Sequence, residues 1–275
     1  MTEGPPIRKY SLGNTDAEHE RLARQSKVFN PLTERLFRAA GIGEGQRVLD
    51  LGSGAGDVAM LLAELVGSNG EVVGVERHDG SIARARARCA QAGLHNVSFY
   101  RGDVADVAGD RPFDAAVGRW ILMYVPDPVA VVRAASNAVR PGGAIAFQEV
   151  SWESILSRSA PLPLTGAAVR LLHAAFAATR ADTEMGYALR GIFEKAGLPP
   201  PSLHMETLLG NEAELAQWLT DTLASAMPQL DEANPLIDAV GEFATLPARM
   251  LDEMTRANAV IAWISVIGAW STKPG

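Results

Sequence analysis

Three glycines stand at every second position, Gly52, Gly54 and Gly56, directly after the apolar run 48–51, in which Asp50 is the only charged residue. A second mostly apolar run, 58–66, follows the last glycine. This pattern predicts a strand, a tight glycine turn and a helix. Glycine lets the backbone turn sharply and lets a flat ligand approach the main chain where a Cβ atom would clash. The stretch therefore predicts the binding of a nucleotide-like ligand.

The residues around the glycines narrow the choice of ligand. A dinucleotide fingerprint, G-x-G-x-x-G, counted from Gly52 would need glycine where the chain has Asp57, and no Lys-Ser/Thr pair follows to make a Walker A loop. The carboxylate of Asp50 would repel a pyrophosphate at the helix start but would suit a cationic ligand. S-adenosylmethionine (SAM) fits, because it carries an adenosine, an ammonium and a sulfonium and has no phosphate. An NAD-dependent dehydrogenase is the weaker alternative.

The run Asp50-x-Gly52-x-Gly54-x-Gly56 resembles the first motif of class I SAM-dependent methyltransferases. The stretch 121–128, after the fourth strand, resembles that of the small-molecule enzymes of the ubiquinone-biosynthesis type, many of which carry His where this chain has Tyr124. Glu76 ends a second apolar strand 20 residues after Gly56. In doubly wound folds an acidic residue at this separation accepts hydrogen bonds from ribose hydroxyls.

The resemblance also implies which residues contact the adenine and which complete the cofactor site. Asp103, after the third strand, would bond the adenine amino group, with Val104 packed on the ring; Asp106 is a competing candidate. The neighbouring positions Arg77, Gly102 and Arg119 are predicted to belong to the cofactor site as well. The resemblance covers residues 41–150, which should form the SAM-binding core.

The predicted fold is a doubly wound, Rossmann-like, seven-stranded and mostly parallel sheet in one domain. Residues 1–40 should form an N-terminal helical cover that breaks or restarts at Pro31. In the family such a segment often covers the cofactor, so Tyr10, Arg21 and Gln25 could face it; ordinary surface packing is the alternative.

Residues 151–275 should complete the sheet with a sixth strand at 203–208 and an antiparallel seventh at 264–270. Two helical insertions, 151–183 and 211–258, would leave the sheet at its ligand-binding edge. They should form a lid that shapes an acceptor pocket and leaves SAM affinity nearly unchanged when residues such as His173 or Trp218 are altered. A packing or dimerisation surface is the alternative.

Three residues are candidates for catalysis. Tyr124 and Glu149 lie at the exits of the fourth and fifth strands, and His173 lies in the first insertion. A structural hydrogen bond is the alternative for the first two, and core packing is the favoured alternative for His173. Methyl transfer needs no metal, and the five histidines have no metal-ligand spacing. Trp120 and Trp152 could wall an aromatic acceptor.

The composition limits the partners. The formal net charge is −7 and no basic block occurs, which argues against nucleic acid, as does the absence of an N-P-P-Y-type motif. A single cysteine, no apolar signal region and no membrane-length apolar run favour a soluble cytoplasmic protein without membrane partners. A homodimer is a further expectation, since the insertions could supply a dimerisation surface. The predicted function is methyl transfer from SAM to a natural-product or quinone-like small molecule. The alternative is a SAM-binding cyclase or regulatory module that transfers no methyl group.

Overall fold

The computed structural model describes residues 16–107, 111–210 and 213–275. Its strands are β1 Arg47–Leu51, β2 Glu71–Glu76, β3 Val97–Arg101, β4 Phe113–Arg119, β5 Val139–Ser151, β6 Ser202–Gly210 and β7 Ile261–Thr272. Its α-helices are α1 Asp16–Ala39, α2 Asp57–Val66, α3 Asp79–Gln91, α4 Pro128–Ala138, α5 Glu153–Ser159, α6 Pro163–Ala178, α7 Met185–Lys195, α8 Ala213–Ala226, α9 Pro235–Val240 and α10 Leu246–Arg256. Short 3₁₀ turns occupy Leu122–Tyr124 and Met227–Gln229.

The seven strands form one sheet in the order β3-β2-β1-β4-β5-β7-β6. The pairs from β3 to β5 are parallel, and β7 runs antiparallel to both of its neighbours. This order confirms the predicted doubly wound, mostly parallel sheet. The strand order reverses between β1 and β4, which is where ligands bind in folds of this kind.

The central strands of the sheet are buried on both faces. Every residue of β1 is buried, as expected of a central parallel strand without polar alternation. One apolar core includes Leu49 and Leu51 and continues into the lid helices, and a second lies beneath α2 and α3 around Val48 and Leu62. The cofactor edge of the sheet therefore has a rigid base.

The predicted helix break at Pro31 is wrong. α1 runs unbroken from Asp16 to Ala39 with Pro31 inside it. Proline in a helix interior costs about 3 kcal/mol or more, because it removes a hydrogen bond and crowds the preceding turn. Here Phe29 and Leu32 on either side are 1% and 3% exposed, so burial of these side chains outweighs that cost.

The two lid insertions lie where the sequence predicts them. α5 and α6 follow β5, and α8, α9 and α10 lie between β6 and β7. The division into segments 1–40, 41–150 and 151–275 stays a prediction. Within the described ranges, no helix is long and apolar enough to cross a membrane.

Candidate functional site

Two adjoining cavities open at the carboxyl ends of the central strands. The inner cavity lies between the glycine turn, α1 and the lid helices, and the outer cavity lies between the turn after β3 and the start of α4. Residues that line both are Gly52, Glu76, Arg77, Ile121 and Tyr124. A single elongated ligand can therefore extend from one cavity into the other along this shared wall.

The glycine turn brings bare backbone to the inner cavity. Gly52 and Gly54 have φ angles of 71° and 52°, in the left-handed region that favours glycine. A Cβ atom on Gly52 would lie 2.7 Å from Ile121 Cδ1, so this position has no room for a side chain. A Cβ on Gly54 would meet no protein atom within 4 Å, which leaves a ligand free to approach its main chain.

Glu76 joins the end of β2 to the glycine turn. Its Oε1 accepts the backbone N–H groups of Arg77 and His78 at 2.8 and 2.9 Å. Its Oε2 accepts the N–H of Gly54 at 3.1 Å. Glu76 as a whole residue is 9% exposed, and its carboxylate is held in one orientation on the wall that the two cavities share. A carboxylate offers about four lone-pair positions, so it can also accept hydrogen bonds from a ligand.

Asp50 does not reach either cavity. It is 1% exposed and sits inside β1, opposite Gly74 and Val117 on the two neighbouring strands. Asp50 lies two residues before Gly52, which lines both cavities, and its Oδ2 has no hydrogen-bond partner within the described residues, so its role toward a cationic ligand stays a prediction. Burial raises the pKa of Asp50 to about 7, against the lowering effect of Arg119.

The turn after β3 forms the outer cavity. Gly102, Asp103 and Val104 line it together with Asp106, so the geometry does not separate the two candidate carboxylates. Asp103 is exposed, and its Oδ1 accepts the backbone N–H of Ala105 at 2.8 Å. This bond shapes the turn that carries the adenine-site candidates.

Arg119 is anchored from α1. Its Nη1 donates to Asn30 Oδ1 at 2.8 Å and to Thr33 Oγ1 at 3.2 Å. Burial lowers the pKa of the Arg119 guanidinium from its usual value, while the charges of Asp57 and Asp50 oppose that shift. Both Arg119 and Arg77 line the inner cavity, where each can meet an anionic part of a ligand.

The N-terminal candidates are only partly described. Gln25 lines the inner cavity and is 6% exposed, whereas Tyr10 lies outside the described residues. The Nε1 of Trp218, on α8, donates to Gln25 Oε1 at 3.0 Å. The second lid insertion thus contacts a residue that the sequence assigns to the cofactor site. The expectation that the lid serves the acceptor alone did not include this contact.

Of the three catalytic candidates, the structure brings only Tyr124 to the cavities, where it is 7% exposed. Glu149 is completely buried and lines neither cavity; its Oε1 accepts the backbone N–H groups of Ile121 and Leu122 at 3.0 and 2.7 Å. His173 also lines neither cavity; its Nε2 lies 3.1 Å from Thr183 Oγ1, and its ring packs beside Trp152. The surroundings of Glu149 fit a structural hydrogen bond, and those of His173 fit core packing; these were the alternatives to catalysis.

Four aromatic side chains line one part of the inner cavity, and we call this part the aromatic chamber. Trp120, Trp152, Phe176 and Trp218 all line it. The ring centroids of Trp152 and Phe176 lie 5.2 Å apart. The sequence pointed to Trp120 and Trp152 as acceptor walls and to Trp218 as a lid residue, but not to Phe176, because an apolar helix is equally typical of the core.

Residues 42–197 match the family described as "Methyltransferase domain", which covers more than half of the chain. Arsenite methyltransferase of Aquipseudomonas alcaligenes is 37% identical over 115 residues, 39% of this chain and 33% of that protein. Aklanonic acid methyltransferase DauC of Streptomyces sp. (strain C5) is 36% identical over 123 residues, 44% of this chain and 56% of that protein. The chain thus matches between a third and just over half of the length of these curated relatives.

Among solved structures, the crystal structure of the cyclase SpnF superposes with a TM-score of 0.55. The superposition covers 89% of this chain and 82% of that one at 20% sequence identity. At this identity the likeness shows the fold alone.

The protonation of Glu149 yields a test of its role. Burial raises its pKa to about 8, although the N–H groups of Leu122 and Ile121 oppose the shift. Above about pH 5 the unfolded chain has lost this proton and the folded chain keeps it, so the free energy of unfolding should fall as pH rises to about 8, by up to about 1.4 kcal/mol per unit. Asp50 adds to this fall only up to about pH 7. Glu149→Gln should remove the part between pH 7 and 8.

Urea denaturation from pH 5 to 9 measures this dependence, with the exposed Glu64→Gln as a matched control that should leave the wild-type profile unchanged. Parallel profiles for wild type and Glu149→Gln would contradict the buried, protonated carboxyl. A large loss of turnover at unchanged stability would instead assign catalysis to Glu149.

Proposed function

This chain belongs to the methyltransferase-domain family, and we propose that it transfers a methyl group from SAM to a planar, largely apolar small molecule of the natural-product or quinone kind. The observation that carries the proposal is the pair of joined cavities. The outer cavity has the turn and carboxylate positions expected of a nucleoside site. The inner cavity ends in the aromatic chamber formed by Trp120, Trp152, Phe176 and Trp218.

The cofactor of the chain is SAM, and the shared wall between the cavities fits it. We assign the ribose to Glu76, whose carboxylate is already oriented by three backbone N–H groups. The adenine falls to the outer cavity with Asp103 and Val104. The methionine part then lies along the bare backbone of Gly52 and Gly54. The remaining cofactor candidates that line the inner cavity are Arg77, Arg119 and Gln25.

The aromatic chamber supports the choice of acceptor. Trp120 approaches from the end of β4, Trp152 and Phe176 from the first lid insertion, and Trp218 from the second. Aromatic walls bury large apolar area and favour stacked or edge-on rings. A flat apolar acceptor complements such walls, whereas a polynucleotide would need a basic surface that a net charge of −7 does not suggest.

When bound, SAM supplies a methyl group on a sulfonium, which is open to in-line displacement. The chain's own contribution is to hold an acceptor atom in line and to exclude water. Tyr124 lies on the wall that both cavities share, so we assign its side chain to orienting the acceptor. Glu149 contributes by fixing the backbone at Ile121 and Leu122, which lead into the short turn that carries Tyr124.

The alternative function, SAM binding without methyl transfer, would use the same pocket. The names of both curated relatives, which are methyltransferases, favour transfer. The cytoplasmic location and the homodimer stay predictions.

Incubation with methyl-labelled SAM tests the function. A panel of planar phenols, hydroquinones and naphthols should include acceptors that gain the label while S-adenosylhomocysteine accumulates in equal amount. Tyr124→Phe should keep SAM affinity and lower turnover by about tenfold, because it keeps the ring and removes the hydroxyl that orients the acceptor. SAM binding with no label transfer to any acceptor class, including thiols and amines, would favour the alternative.

Substitution of Glu76 tests the ribose assignment. Glu76→Gln keeps the size of the side chain but replaces an accepting oxygen and the charge, so SAM should bind about tenfold or more weakly, as expected for hydrogen bonds to a charged group. Calorimetry measures the dissociation constant, and Asp106→Asn, another acid-to-amide change on the outer cavity wall, separates the ribose contact from a general charge effect. Unchanged SAM affinity in a folded Glu76→Gln protein would remove Glu76 from the site.

A further inference from the structure

The exposed large apolar side chains of the described residues gather at one edge of the sheet. Leu203, Met205 and Leu209 belong to β6, which is the outermost strand on that side. Val260 directly precedes β7, whose first residues pair with the end of β6, and Tyr187 lies on α7, which packs against β7. Single exposed apolar side chains are ordinary, but a group of them marks an interaction surface. We call strand β6, residues 202–210, with its outer side the β6 edge.

The outer side of β6 is open to a further strand. β6 pairs with β7, and none of the other described residues forms a strand on its outer side. Natural proteins protect such edges with lysine, proline, bulges or short strands, because unpaired backbone N–H and C=O groups can pair with another chain. β6 has nine residues without lysine or proline, and its register against β7 shifts only after Thr207. The stretch 202–207 is therefore a regular template for another strand.

The opposite edge of the sheet is built differently. There β3 has only five residues and ends in Arg101. Within the described ranges, none of the exposed large apolar side chains lies on β3. Pairing with another chain is therefore favoured at the β6 edge and not at β3.

One face of the β6 edge is apolar. Met205 stands opposite Ile267 of β7, and residues directly opposite one another share a face of the sheet. α7 lies on that face, since a Cβ atom on Gly186 would be 2.7 Å from Ile267 Cδ1. Leu203, two residues before Met205, points to the same side. The rim of the sheet beside α7 therefore presents apolar side chains.

The other face of the β6 edge carries charged groups. His204 and Glu206 flank Met205 along the strand, so they point to the opposite side, where α1 lies. Glu206 accepts hydrogen bonds from Nε and Nη2 of Arg35 on α1, the first at 2.9 Å. His204 Nε2 lies 3.4 Å from Glu206 Oε1. A strand that pairs with β6 thus meets an imidazole and a carboxylate on one face and apolar groups on the other.

We propose that the β6 edge is a homodimer interface, in which it pairs antiparallel with the β6 edge of a second copy of this chain. A two-fold axis perpendicular to the sheet keeps each face on its own side. With the axis at Met205, this residue stands opposite the partner's Met205, and Leu203 stands opposite the partner's Thr207. His204 then stands opposite the partner's Glu206. The last two pairs each occur twice, once on either side of the axis.

Charge complementarity selects this register. An imidazole, which can donate a hydrogen bond and carry a positive charge, faces a carboxylate, and opposite charges at directly opposed positions stabilise a strand pair. An axis at His204 or Glu206 would instead oppose identical groups, which for Glu206 means two carboxylates. An axis at Thr207 would oppose Glu206 to the apolar Leu208.

The assembly closes at two copies. A two-fold interface uses the same edge of both chains, so the pairing leaves no β6 edge for a third copy. None of the residues that line the two cavities lies on β6. Both sites of the dimer therefore stay open, and the interface does not depend on the proposed function.

Sedimentation equilibrium of the full chain measures the dimer. The wild type should be dimeric at micromolar concentrations. Met205→Lys places two like charges opposite each other on the axis and should raise the dimer dissociation constant by about tenfold or more. The matched control, Ser98→Lys, introduces the same side chain at an exposed position on β3 at the opposite edge, and should leave the dissociation constant unchanged.

Complementary charge changes test the register. His204→Glu makes both charged positions of the edge acidic, and Glu206→Lys makes both basic, so each variant alone should dimerise about tenfold or more weakly than wild type. When the two variants are mixed in equal amounts, the glutamate introduced in one copy faces the lysine introduced in the other. A heterodimer should then form with about wild-type affinity. Mixing would not restore a variant that had merely lost its fold.

Melting temperature and SAM affinity, measured for every variant, should match those of the wild type because β6 lines neither cavity. A wild-type protein that stays monomeric at about 100 μM would overturn the interface and leave the edge to a different protein. A dimer that Met205→Lys does not weaken would also overturn it and place the contact elsewhere, as would a variant mixture that stays monomeric. An intact wild-type dimer that bound no SAM would overturn the proposed function alone, so the two failures are distinguishable.

Discussion

The carboxylate of Glu76 accepts backbone N–H groups from Gly54, Arg77 and His78, and the organisation of the site depends on these bonds. They tie the end of β2 to a glycine turn whose backbone lies in a conformation that few other residues adopt. Because the same carboxylate lines both cavities, the group that shapes the turn is also the one offered to the ligand. The proposed ribose contact would thus require little further ordering of the protein when the ligand binds.

The lid is joined to this frame through buried contacts. Phe29 of α1 packs edge-on against Trp120, at the exit of β4, and against Trp218 of α8, with centroid separations of 4.9 and 5.6 Å. Trp120 also has a φ angle of 53°, unusual for a non-glycine residue, which is consistent with tight constraint at the cavity wall. Binding of the acceptor and of the cofactor should therefore be energetically coupled, since one set of helices contacts both.

The sequence was informative where local chemistry dictates structure. The glycine turn and Glu76 could be predicted because a tight turn needs glycine and because the carboxyl ends of adjacent parallel strands lie side by side. The continuous helix through Pro31 could not be predicted, since local preference was overridden by burial of Phe29 and Leu32. The sequence also did not reveal how deeply Asp50 is buried, because its position before the glycines does not show how far the glycine turn lies beyond it.

The acceptor side was less predictable. His173 and Glu149 are typical catalytic residue types, yet tertiary packing gives them partners away from the cavities. The residues that do line the chamber, such as Phe176, have the spacing of ordinary core residues. Only the three-dimensional packing of insertions far apart in sequence decides which apolar side chains meet one another and which face a ligand.

A crystal structure of the protein with S-adenosylhomocysteine tests the central claim most directly. Ribose hydroxyls should lie within about 3 Å of the Glu76 carboxylate, a usual hydrogen-bond distance, with the adenine in the outer cavity beside Asp103 and Val104. Adenosine density confined to the inner cavity, or placed away from Glu76, would contradict it.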